Sequence, residues 1–409
     1  MIAGEWIRTE LPRSWQVARL RDHATVVNGY PFDSELFSAD TGLPLVRIRD
    51  IARLETEVRY AGDVVPEALL KGGEILVGMD GDFNVARWKG ADALLNQRVC
   101  SIRPARTVDA RFLYYVLPAP LALINEFTYS TTVKHLSSFD ILKIRIPFPP
   151  LSKQRAIADY LDRETARLDA LVAAKERALG LLAEKRGALI TRAVTRGLDP
   201  RAPLRDSGIP WLGEIPAHWE AERSRWLFRE RDQRSESGQE ELLTVSHLTG
   251  VTLRSEKDVN MFEAETTEGY KICLSGDLVI NTLWAWMGAM GTSPVNGIVS
   301  PAYNVYQPGS RLEPSYVDAL VRLPVFAQEV TRFSKGVWSS RLRLYPEGFF
   351  EVFLPVPPLT EQRAIVNQIA IETEKLDELR VATERTVVLL KERRAALIAA
   401  AVTGQLEVV

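Results

Sequence analysis

The chain carries one long stretch of sequence twice. PFPPLSKQRAIADYLDRETARLDAL begins at Pro147, and PVPPLTEQRAIVNQIAIETEKLDEL begins at Pro355. When residues 146–199 are aligned with residues 354–407 at one constant offset, roughly half of the positions match. Two unrelated helices would not stay similar at a single offset over so long a stretch. The repeat therefore indicates an internal duplication, which limits the fold to one built from two related halves.

The duplication extends, more weakly, into the sequence that precedes each copy. LPRSW, which ends at Trp15, corresponds to IPAHW, which ends at Trp219. KGGEILV corresponds to SGDLVI, and TTVKHLSS corresponds to KGVWSSRL. The two preceding segments contain corresponding motifs in the same order but differ in many residues, so we expect them to bind different ligands. The order is arm, helix, arm, helix, and the predicted boundaries are 1–145 for the first arm, 146–200 for the first helix, 201–353 for the second arm and 354–409 for the second helix.

Each copy of the repeat is predicted to be a long helix. After a proline-rich entry, about 40 residues follow without proline and are rich in Ala, Leu, Glu, Lys and Arg, which favour helices. Ser152 and Thr360 stand where N-caps are expected. One helix of this length would span about 60 Å, and a break near Gly180 would shorten it.

Both helices carry the residue pattern of a coiled-coil seam, with alternating steps of four and three. Neither helix closes its own seam, so each is predicted to pair with the other, with Arg186 and Arg394 fixing the register. The alternative is two unrelated amphipathic core helices, and the seam alone leaves parallel and antiparallel pairing open. The residues predicted to form this contact are Leu161, Leu168, Val172, Leu182, Arg186, Leu189, Ile369, Leu376, Val387, Leu390, Arg394 and Leu397.

Composition excludes several classes of protein. The 409 residues carry a net charge of −2, which argues against binding polyanions over the whole surface. Four histidines and two separate cysteines cannot build a zinc site, so no bound metal is expected. Cys100 and Cys273 lie in strand-like stretches and are predicted to be buried free thiols in a reducing cytosol. The N-terminus lacks the apolar core of a signal peptide, and no apolar run approaches the roughly 18 residues of a membrane span.

Each arm is predicted to be a strand-rich mixed α/β domain. Short β-type runs such as GEILVGM, QRVCSI, DLVINTLW and NVYQP are separated by Gly and Pro. DARFLYYVL and PSYVDALVRL have the pattern of short helices. Residues 1–145 carry 18 basic and 18 acidic side chains, and residues 201–353 carry 16 and 20, so a contact with nucleic acid must be a local patch.

Several loops of the arms combine Arg, Asn, Ser and Trp, and such side chains contact base edges, bases and phosphates. VRIRD is expected to place Arg47 and Arg49 on one face of a strand. Each loop could instead be an ordinary solvated loop or hold a core tryptophan, but recurrence at matching places in both arms favours binding. The candidate DNA-binding residues are Arg47, Arg49, Asn84, Arg87, Trp88, Lys134, His135, Ser137, Asn281, Trp284, Trp286, Trp338, Ser339, Ser340, Arg341 and Arg343.

The sequence offers no catalytic residues. SPAY is similar to an amino-methyltransferase tetrapeptide but has Ala302 where the second proline belongs, and Tyr303 is expected to pack. No GxxxxGK[ST], GxSxG or HExxH motif is found. Asp80 and Asp82 in MDGD are interpreted as turn residues. The chain is therefore predicted to be a binding protein and not an enzyme.

An ordered set of motifs resembles the specificity subunit of type I restriction-modification systems. These motifs are LGEIPAHW, PPLSKQRAI, PPLTEQRAI and KRGALITRAVTRGL, and they cover nearly the whole chain together with LVGMDGDFN, LLNQRVC, INTLWAWMG, GIVSPAYNVY and SSRLRLYP in the arms. One departure is Lys153, where the second copy and most relatives have Glu; at a solvent-facing helix start this change is conservative.

The resemblance implies an α+β fold with two target-recognition domains joined by two helices that pair as an antiparallel coiled coil, related by a pseudo-two-fold axis. It implies that each domain binds one half of a bipartite double-stranded DNA site. It also implies two modification subunits, which carry S-adenosylmethionine and methylate adenine N6, and restriction subunits, which use ATP and Mg²⁺. No cofactor is then bound by this chain itself, and the complex is cytoplasmic.

Two other functions compete with this one. The first is a coiled-coil protein-binding adaptor without a role on DNA. The second is a stand-alone DNA methyltransferase or nuclease, which the missing motifs disfavour.

Overall fold

The computed structural model describes residues 6–7, 10–51, 56–127, 134–257, 266–336 and 342–408. The chain forms two compact units, each with its own core. Unit 1 comprises residues 1–176 and 385–409, and unit 2 comprises residues 177–384. Each unit thus contains one predicted arm and parts of both predicted helices. The four-part division at 145, 200 and 353 stays a prediction.

Unit 1 contains three sheets and short helices. The strands are β1 (Gln16–Arg19), β2 (Ala24–Asn28), β3 (Phe37–Ser38), β4 (Leu43–Val46), β5 (Arg59–Tyr60), β6 (Leu69–Leu70), β7 (Ile75–Gly78), β8 (Val85–Arg87), β9 (Ala93–Leu95), β10 (Val99–Pro104) and β11 (Arg145–Phe148). The helices are α1 (Ala110–Val116), α2 (Pro118–Phe127), α3 (Ser138–Lys143) and the first part of α4 (Leu151–Arg196). The sheets have the orders β2-β10-β7-β8, β3-β5-β4-β9-β6 and β1-β11.

The four-stranded sheet of unit 1 is buried on both faces, which follows from the alternation of side chains along its strands. Ile75 and Val77 point into a core that also holds Phe112 of α1 and Ile157 of α4. Leu76, on the opposite face, packs in a second cluster. Strands buried on both faces appear in the sequence as continuous apolar runs, which is why residues 75–77 of β7 are Ile, Leu and Val.

Among its described residues, unit 2 has one four-stranded sheet and four two-stranded sheets. Its strands are β12 (Leu204–Asp206), β13 (Glu214–Pro216), β14 (Glu220–Arg223), β15 (Phe228–Glu230), β16 (Leu243–Ser246), β17 (Gly250–Leu253), β18 (Lys271–Cys273), β19 (Leu278–Asn281), β20 (Met290–Thr292), β21 (Gly297–Val299), β22 (Tyr303–Pro308) and β23 (Phe353–Val356). The helices are α5 (Ser224–Leu227), α6 (Pro314–Val321), α7 (Pro324–Arg332), α8 (Pro346–Phe349) and the first part of α9 (Leu359–Val402).

The central sheet of unit 2 has the order β15-β22-β19-β20, and its pairs are antiparallel, as in the sheet β2-β10-β7-β8 of unit 1. If the four strands of each sheet are numbered along the chain, both sheets have the spatial order 1-4-2-3. β14 pairs with β23 as β1 pairs with β11, which joins the start of each arm to its end. The predicted short helices DARFLYYVL and PSYVDALVRL correspond to α1 and α6, so both predictions are confirmed.

The two long helices start two residues earlier than their predicted N-caps allow. The carbonyl oxygen of Pro150 accepts from Lys153 N at 2.8 Å, and that of Pro358 accepts from Glu361 N at 2.8 Å. Prolines therefore stand at the cap positions, and the prediction that Ser152 and Thr360 are N-caps is wrong. α4 also continues through Gly180 without the anticipated break, because one exposed glycine costs only about 1 kcal/mol.

Contacts within each unit fix the direction of the helix segments. In unit 1, Asp169 Oδ1 of α4 lies 2.8 Å from Arg394 Nε of α9, and Glu176 Oε1 lies 3.0 Å from Lys391 Nζ. Residue numbers thus increase in opposite directions along these two segments. In unit 2, Arg186 Nη2 lies 3.7 Å from Asp377 Oδ2.

Burial along the predicted seam is uneven. Leu161, Leu168 and Val387 are buried, whereas Arg186 is exposed and lies at the edge of the helix contact. An exposed position spares the Arg186 guanidinium the cost of losing its water, and its predicted role in fixing the register stays a prediction. The remaining predicted seam residues are half-buried: Val172, Leu182, Leu189, Ile369, Leu376, Leu390, Arg394 and Leu397.

Candidate nucleic-acid interface

In unit 1, two of the loops predicted to bind DNA lie side by side. One is the turn between β7 and β8, and the other is the segment that precedes α3. Leu136 N donates to Met79 O at 2.7 Å, and Gly81 N donates to Lys134 O at 3.0 Å. Phe83 anchors the turn, because its side chain is buried and only 2% exposed. Its backbone is left-handed, with φ 51°, which is uncommon for a bulky residue. Residues far apart in sequence therefore form one surface at this end of the sheet.

Asp80 is the centre of this surface. Its Oδ2 accepts from Arg98 Nη1 at 2.6 Å, and its Oδ1 lies 2.7 Å from His135 Nδ1. The Asp80 side chain is 16% exposed, whereas those of Arg98 and His135 are 56% and 57% exposed. A largely covered carboxylate thus holds two exposed nitrogen-bearing side chains, which is an arrangement suited to binding an acceptor-rich partner.

The other predicted residues around this turn have mixed roles. Lys134 Nζ donates to Asn125 O at 2.6 Å and ties the segment to α2, while Asn84 is exposed. Ser137 caps α3 by accepting from Asp140 N at 3.2 Å. Arg87 is half-buried within β8. Among these four residues Asn84 is the exposed one, and its contact with DNA stays a prediction.

The predictions for three residues of unit 1 need correction. Trp88 is 3% exposed and its Nε1 donates to Ala91 O at 2.8 Å, so it is a core side chain and has no free face for a base. β4 ends at Val46, so Arg47 and Arg49 lie in a 3₁₀ turn and not on one face of a strand. The Arg47 guanidinium forms two hydrogen bonds with Asp50, at 3.0 and 3.2 Å. Arg49 is exposed.

Unit 2 brings the corresponding loops together. Leu344 N donates to Thr282 O at 3.1 Å, which joins the turn after β19 to the segment before α8. Lys335 and Arg343 exchange two backbone hydrogen bonds of 2.9 Å beside this point. Arg343 is exposed, as predicted for a residue that contacts DNA.

The turn after β19 carries two stacked tryptophans. The ring centroids of Trp284 and Trp286 are 6.2 Å apart, and their planes differ by 19°. Trp286 is fixed by a hydrogen bond from Nε1 to Leu283 O at 3.0 Å, whereas Trp284 is 50% exposed. Asn281 is 7% exposed and its Oδ1 accepts from Leu283 N at 3.2 Å, so it shapes the turn and is not free to contact a base. Trp338, Ser339, Ser340 and Arg341 lie outside the described residues.

Charged groups beside Arg343 are partly paired. Lys335 Nζ lies 3.2 Å from Glu347 Oε1, and the pKa of the Glu347 carboxyl is lowered by a hydrogen bond from its own backbone N–H and by Lys335. Glu347 therefore stays ionised and offsets one positive charge. The two surfaces differ in chemistry, since that of unit 1 is built from an Asp, an Arg and a His, and that of unit 2 from tryptophans and an Arg.

Sequence analysis missed Arg98 as a site residue. It was visible only as the Arg of LLNQRVC, at the start of a predicted strand. Its left-handed backbone, with φ 75°, and its contact with Asp80 depend on the tertiary structure. Such a conformation is uncommon for a long side chain and is a signal that only coordinates provide.

Elsewhere in the described chain, metal ligands and reactive thiols are the kinds of group that could support chemistry. No three His, Cys, Asp or Glu side chains in these ranges are grouped as metal ligands. Burial raises the pKa of the Cys100 and Cys273 thiols to about 12, which makes them unreactive at neutral pH. Both are free and buried, as predicted. None of the described helices has the length and hydrophobicity needed to cross a membrane.

Comparison with known sequences finds matches to part of the chain. Residues 12–179 match the family model of the type I restriction modification DNA specificity domain. The chain is 39% identical over 184 residues to the type I restriction enzyme EcoBI specificity subunit of Escherichia coli, a match that covers 44% of this chain and 39% of that protein. It is 24% identical over 216 residues to the MjaVIII specificity subunit of Methanocaldococcus jannaschii, covering 51% and 48% of the two chains. The matched segments thus span about half or less of these relatives' lengths.

Comparison with solved structures concerns the fold. A chain from a structure described as the basis of complex assembly and conformational transition of the type I R-M system aligns with a TM-score of 0.72 at 18% identity, over 97% of this chain and 100% of that one. The HsdS subunit from Thermoanaerobacter tengcongensis aligns with a TM-score of 0.53 at 17% identity, over 98% and 99%. Residues 12–179 thus match the type I restriction modification DNA specificity domain, and the chain as a whole shares the fold of these two solved chains.

Proposed function

We propose that this chain is the DNA-specificity subunit of a type I restriction-modification complex, and that each arm binds one half of a bipartite double-stranded DNA site. The observation that carries the proposal is the match of residues 12–179 to the specificity domain, together with a second unit of the same sheet order. We further propose that the two halves arose by internal duplication. The repeated helix sequences and the shared strand order support this.

The convergent loops are the proposed DNA contacts. In each unit, a turn of the central sheet lies against the segment before a short helix, joined by the Leu136–Met79 bond in unit 1 and the Leu344–Thr282 bond in unit 2. The side chains on the two surfaces differ, which is what two different half-sites require. Because acidic and basic residues nearly balance, most phosphate contacts are assigned to partner subunits.

The long helices have a separate proposed role. They pair as an antiparallel coiled coil, set the spacing between the half-sites and dock two modification subunits, with which the restriction subunits assemble. The opposite directions of α4 and α9 at Asp169–Arg394 and Glu176–Lys391 support the antiparallel pairing. Half-sites on one face of a duplex are about one helical turn, roughly 34–36 Å, apart. A change in helix length is therefore expected to change the unread gap and to leave the half-sites as they are.

The chemistry is assigned to the partners. The modification subunits bind S-adenosylmethionine and methylate adenine N6 after the base leaves the stack, and the restriction subunits use ATP and Mg²⁺. The present chain is proposed to be non-catalytic, to bind no cofactor and to act in the cytoplasm. The unreactive buried thiols are consistent with a reducing compartment.

An exchange of arms tests the proposal. Residues 201–353 are replaced by the equivalent arm of another specificity subunit, and methylated adenines are mapped by sequencing in cells that also hold the methyltransferase subunit. We expect one half of the methylated motif to change and the other half to be retained. A matched exchange of residues 1–145 should change the opposite half. If both halves changed, or neither did, one arm could not correspond to one half-site.

A second measurement separates DNA recognition from a purely adaptor role. The chain is co-purified with the methyltransferase subunit, and the complex is titrated with duplexes that carry the mapped motif or a scrambled motif. Specific complexes bind their sites typically 10³–10⁷ times more tightly than other DNA. Co-purification with no preference between the two duplexes would favour the adaptor.

A further inference from the structure

We propose that Asp80, Arg98 and His135 form the base-edge binding site of unit 1, with Arg98 contacting a guanine in the major groove and Asp80 as the positioning residue. This inference rests on the proposed function and specifies its chemistry in the first arm. Nothing in the family comparison assigns these three residues. Three observations carry the proposal: the sharing of one carboxylate, the strained backbone of Arg98, and the absence of the same trio from the equivalent position in unit 2.

The contact with the Asp80 carboxylate leaves several N–H donors of the Arg98 guanidinium available to a ligand. Asp80 takes one guanidinium nitrogen, Nη1, at 2.6 Å, and it is the one partner of that guanidinium within the described ranges. A guanidinium has five N–H donors in a rigid fork, so several remain for a ligand. Guanine presents two acceptors, O6 and N7, on its major-groove edge, and Arg is the side chain that most often binds both.

Asp80 has a role only if it positions its neighbours. A carboxylate near DNA is repelled by phosphates, and an exposed one would weaken binding. Asp80 is instead 16% exposed and lies beneath Arg98 and His135, which are both more than half exposed. It fixes the Arg98 fork, and it orients the His135 ring through Nδ1 at 2.7 Å, which leaves Nε2 for an outside partner.

The backbone of Arg98 gives independent support. Its φ of 75° lies in the left-handed region, which glycine adopts without strain and arginine does not. Its carbonyl oxygen accepts from Met79 N at 2.9 Å, so the tight turn is tied directly to the residue before Asp80. Strained residues of this kind concentrate at ligand sites, where the side chain and not the fold requires them. A glycine would satisfy the turn, so the arginine is there for its side chain.

The equivalent place in unit 2 has different residues. Val99 of β10 pairs with Gly78, and Tyr303 of β22 pairs with Asn281, so the residue before each strand is Arg98 in unit 1 and Ala302 in unit 2. The equivalent of Asp80, one residue beyond the Met79 or Thr282 carbonyl, is Leu283. The trio is therefore a property of the first arm, and it is expected to specify that arm's half-site alone.

A comparison of the unchanged chain and Arg98→Ala on natural and modified DNA tests the Arg98 contact. The complex of this chain with its methyltransferase subunit is titrated with duplexes that carry the mapped motif, either with guanine or with 7-deazaguanine, which lacks the N7 acceptor, in the half-site of the first arm. On the natural duplex, Arg98→Ala should weaken binding roughly 5- to 150-fold. On the 7-deazaguanine duplex, the same substitution should weaken it clearly less. Equal losses on both duplexes, or a first half-site without guanine, would overturn the proposal.

Two further variants separate recognition from folding. Arg98→Gly relieves the left-handed backbone, so the thermal midpoint should be retained while the guanine preference is lost. Asp80→Asn should lower affinity for the motif and raise it for a scrambled duplex, because one negative charge is removed. The matched control is Asp82→Asn, an exposed carboxylate in the same turn, which should raise affinity for both duplexes alike. If Asp80→Asn behaved as this control does, Asp80 would have no positioning role.

Failure here is distinguishable from failure of the proposed function. Should the exchange of residues 1–145 move a half-site while Arg98→Ala leaves the motif unchanged, the specificity role stands and the trio is wrong. Should the exchange move nothing, the proposed function itself fails.

Discussion

The substitution Gln362→Met is expected to destabilise unit 2 strongly. Gln362 lies near the start of α9 and is fully buried. Its Oε1 accepts from Glu313 N at 2.8 Å, and its Nε2 donates to Arg311 O and to Pro357 O, each at 2.8 Å. One side chain thus joins the start of α9 to the segment that leads into α6. Methionine has a similar shape and a similar helix propensity, so the substitution removes mainly these hydrogen bonds.

The magnitude follows from the three partners left behind. A hydrogen bond contributes about 0.5–1.5 kcal/mol net, and a buried polar group without a partner costs about 1–3 kcal/mol. With three backbone groups affected and some relief from water entry, we expect a loss of about 3–5 kcal/mol in the free energy of unfolding. Domains are stable by only about 5–15 kcal/mol, so the effect is large.

The assay is equilibrium urea unfolding followed by circular dichroism, with hydrogen exchange to assign the loss to unit 2. The matched control is Gln368→Met on the same helix, where the glutamine is exposed and has one bond of 3.4 Å to Glu372; it should change stability by less than about 0.5 kcal/mol. Gln154→Met, in the equivalent position of unit 1, should also be costly, since Gln154 bonds Asp109 N and Pro149 O at 2.9 Å. A loss below about 1 kcal/mol for Gln362→Met, or one equal to the control, would refute the reasoning.

Four further predictions follow from the placement of particular residues. Trp88→Ala should cost about 3–5 kcal/mol in unfolding free energy because the ring is buried, whereas Trp284→Ala should change stability by less than about 0.5 kcal/mol and weaken DNA binding; the reverse pattern would contradict both placements. Iodoacetamide at pH 8 should leave both cysteines unmodified in the folded protein and label both after unfolding, as mass spectrometry will show. Because burial raises each thiol pKa from 9.0 to about 12, the folded state retains protons that the unfolded state loses; stability should fall as pH rises from about 9 to 12, by about 1.4 kcal/mol per pH unit and thiol, and an unchanged urea midpoint would contradict this. A double-mutant cycle on Asp169 and Arg394 should give a coupling below about 1 kcal/mol that decreases in high salt, since both side chains are partly exposed.

The exposure expected of the predicted loop residues is found for some of them and not for others. Trp88 and Trp284 both stand in Gly-containing loops beside polar residues, yet one is in the core and the other is half exposed. The difference arises because Trp88 follows β8 directly and faces the cluster beneath the sheet, while Trp284 lies in a turn. Both stretches combine Gly, Asn and Trp, and only packing distinguishes the positions of the two tryptophans.

The sequence by itself determined the two long helices, because helix propensity and the absence of proline act over neighbouring residues, and it contains the repeat that predicts two related halves. It could not determine which side chains share a surface. Asp80, Arg98 and His135 are brought together by β7, β10 and the segment before α3, and the left-handed turn at Arg98 depends on that packing. Hydrogen bonds between distant parts of the chain form only when the sheet closes, so the tertiary structure alone decided the composition of the site.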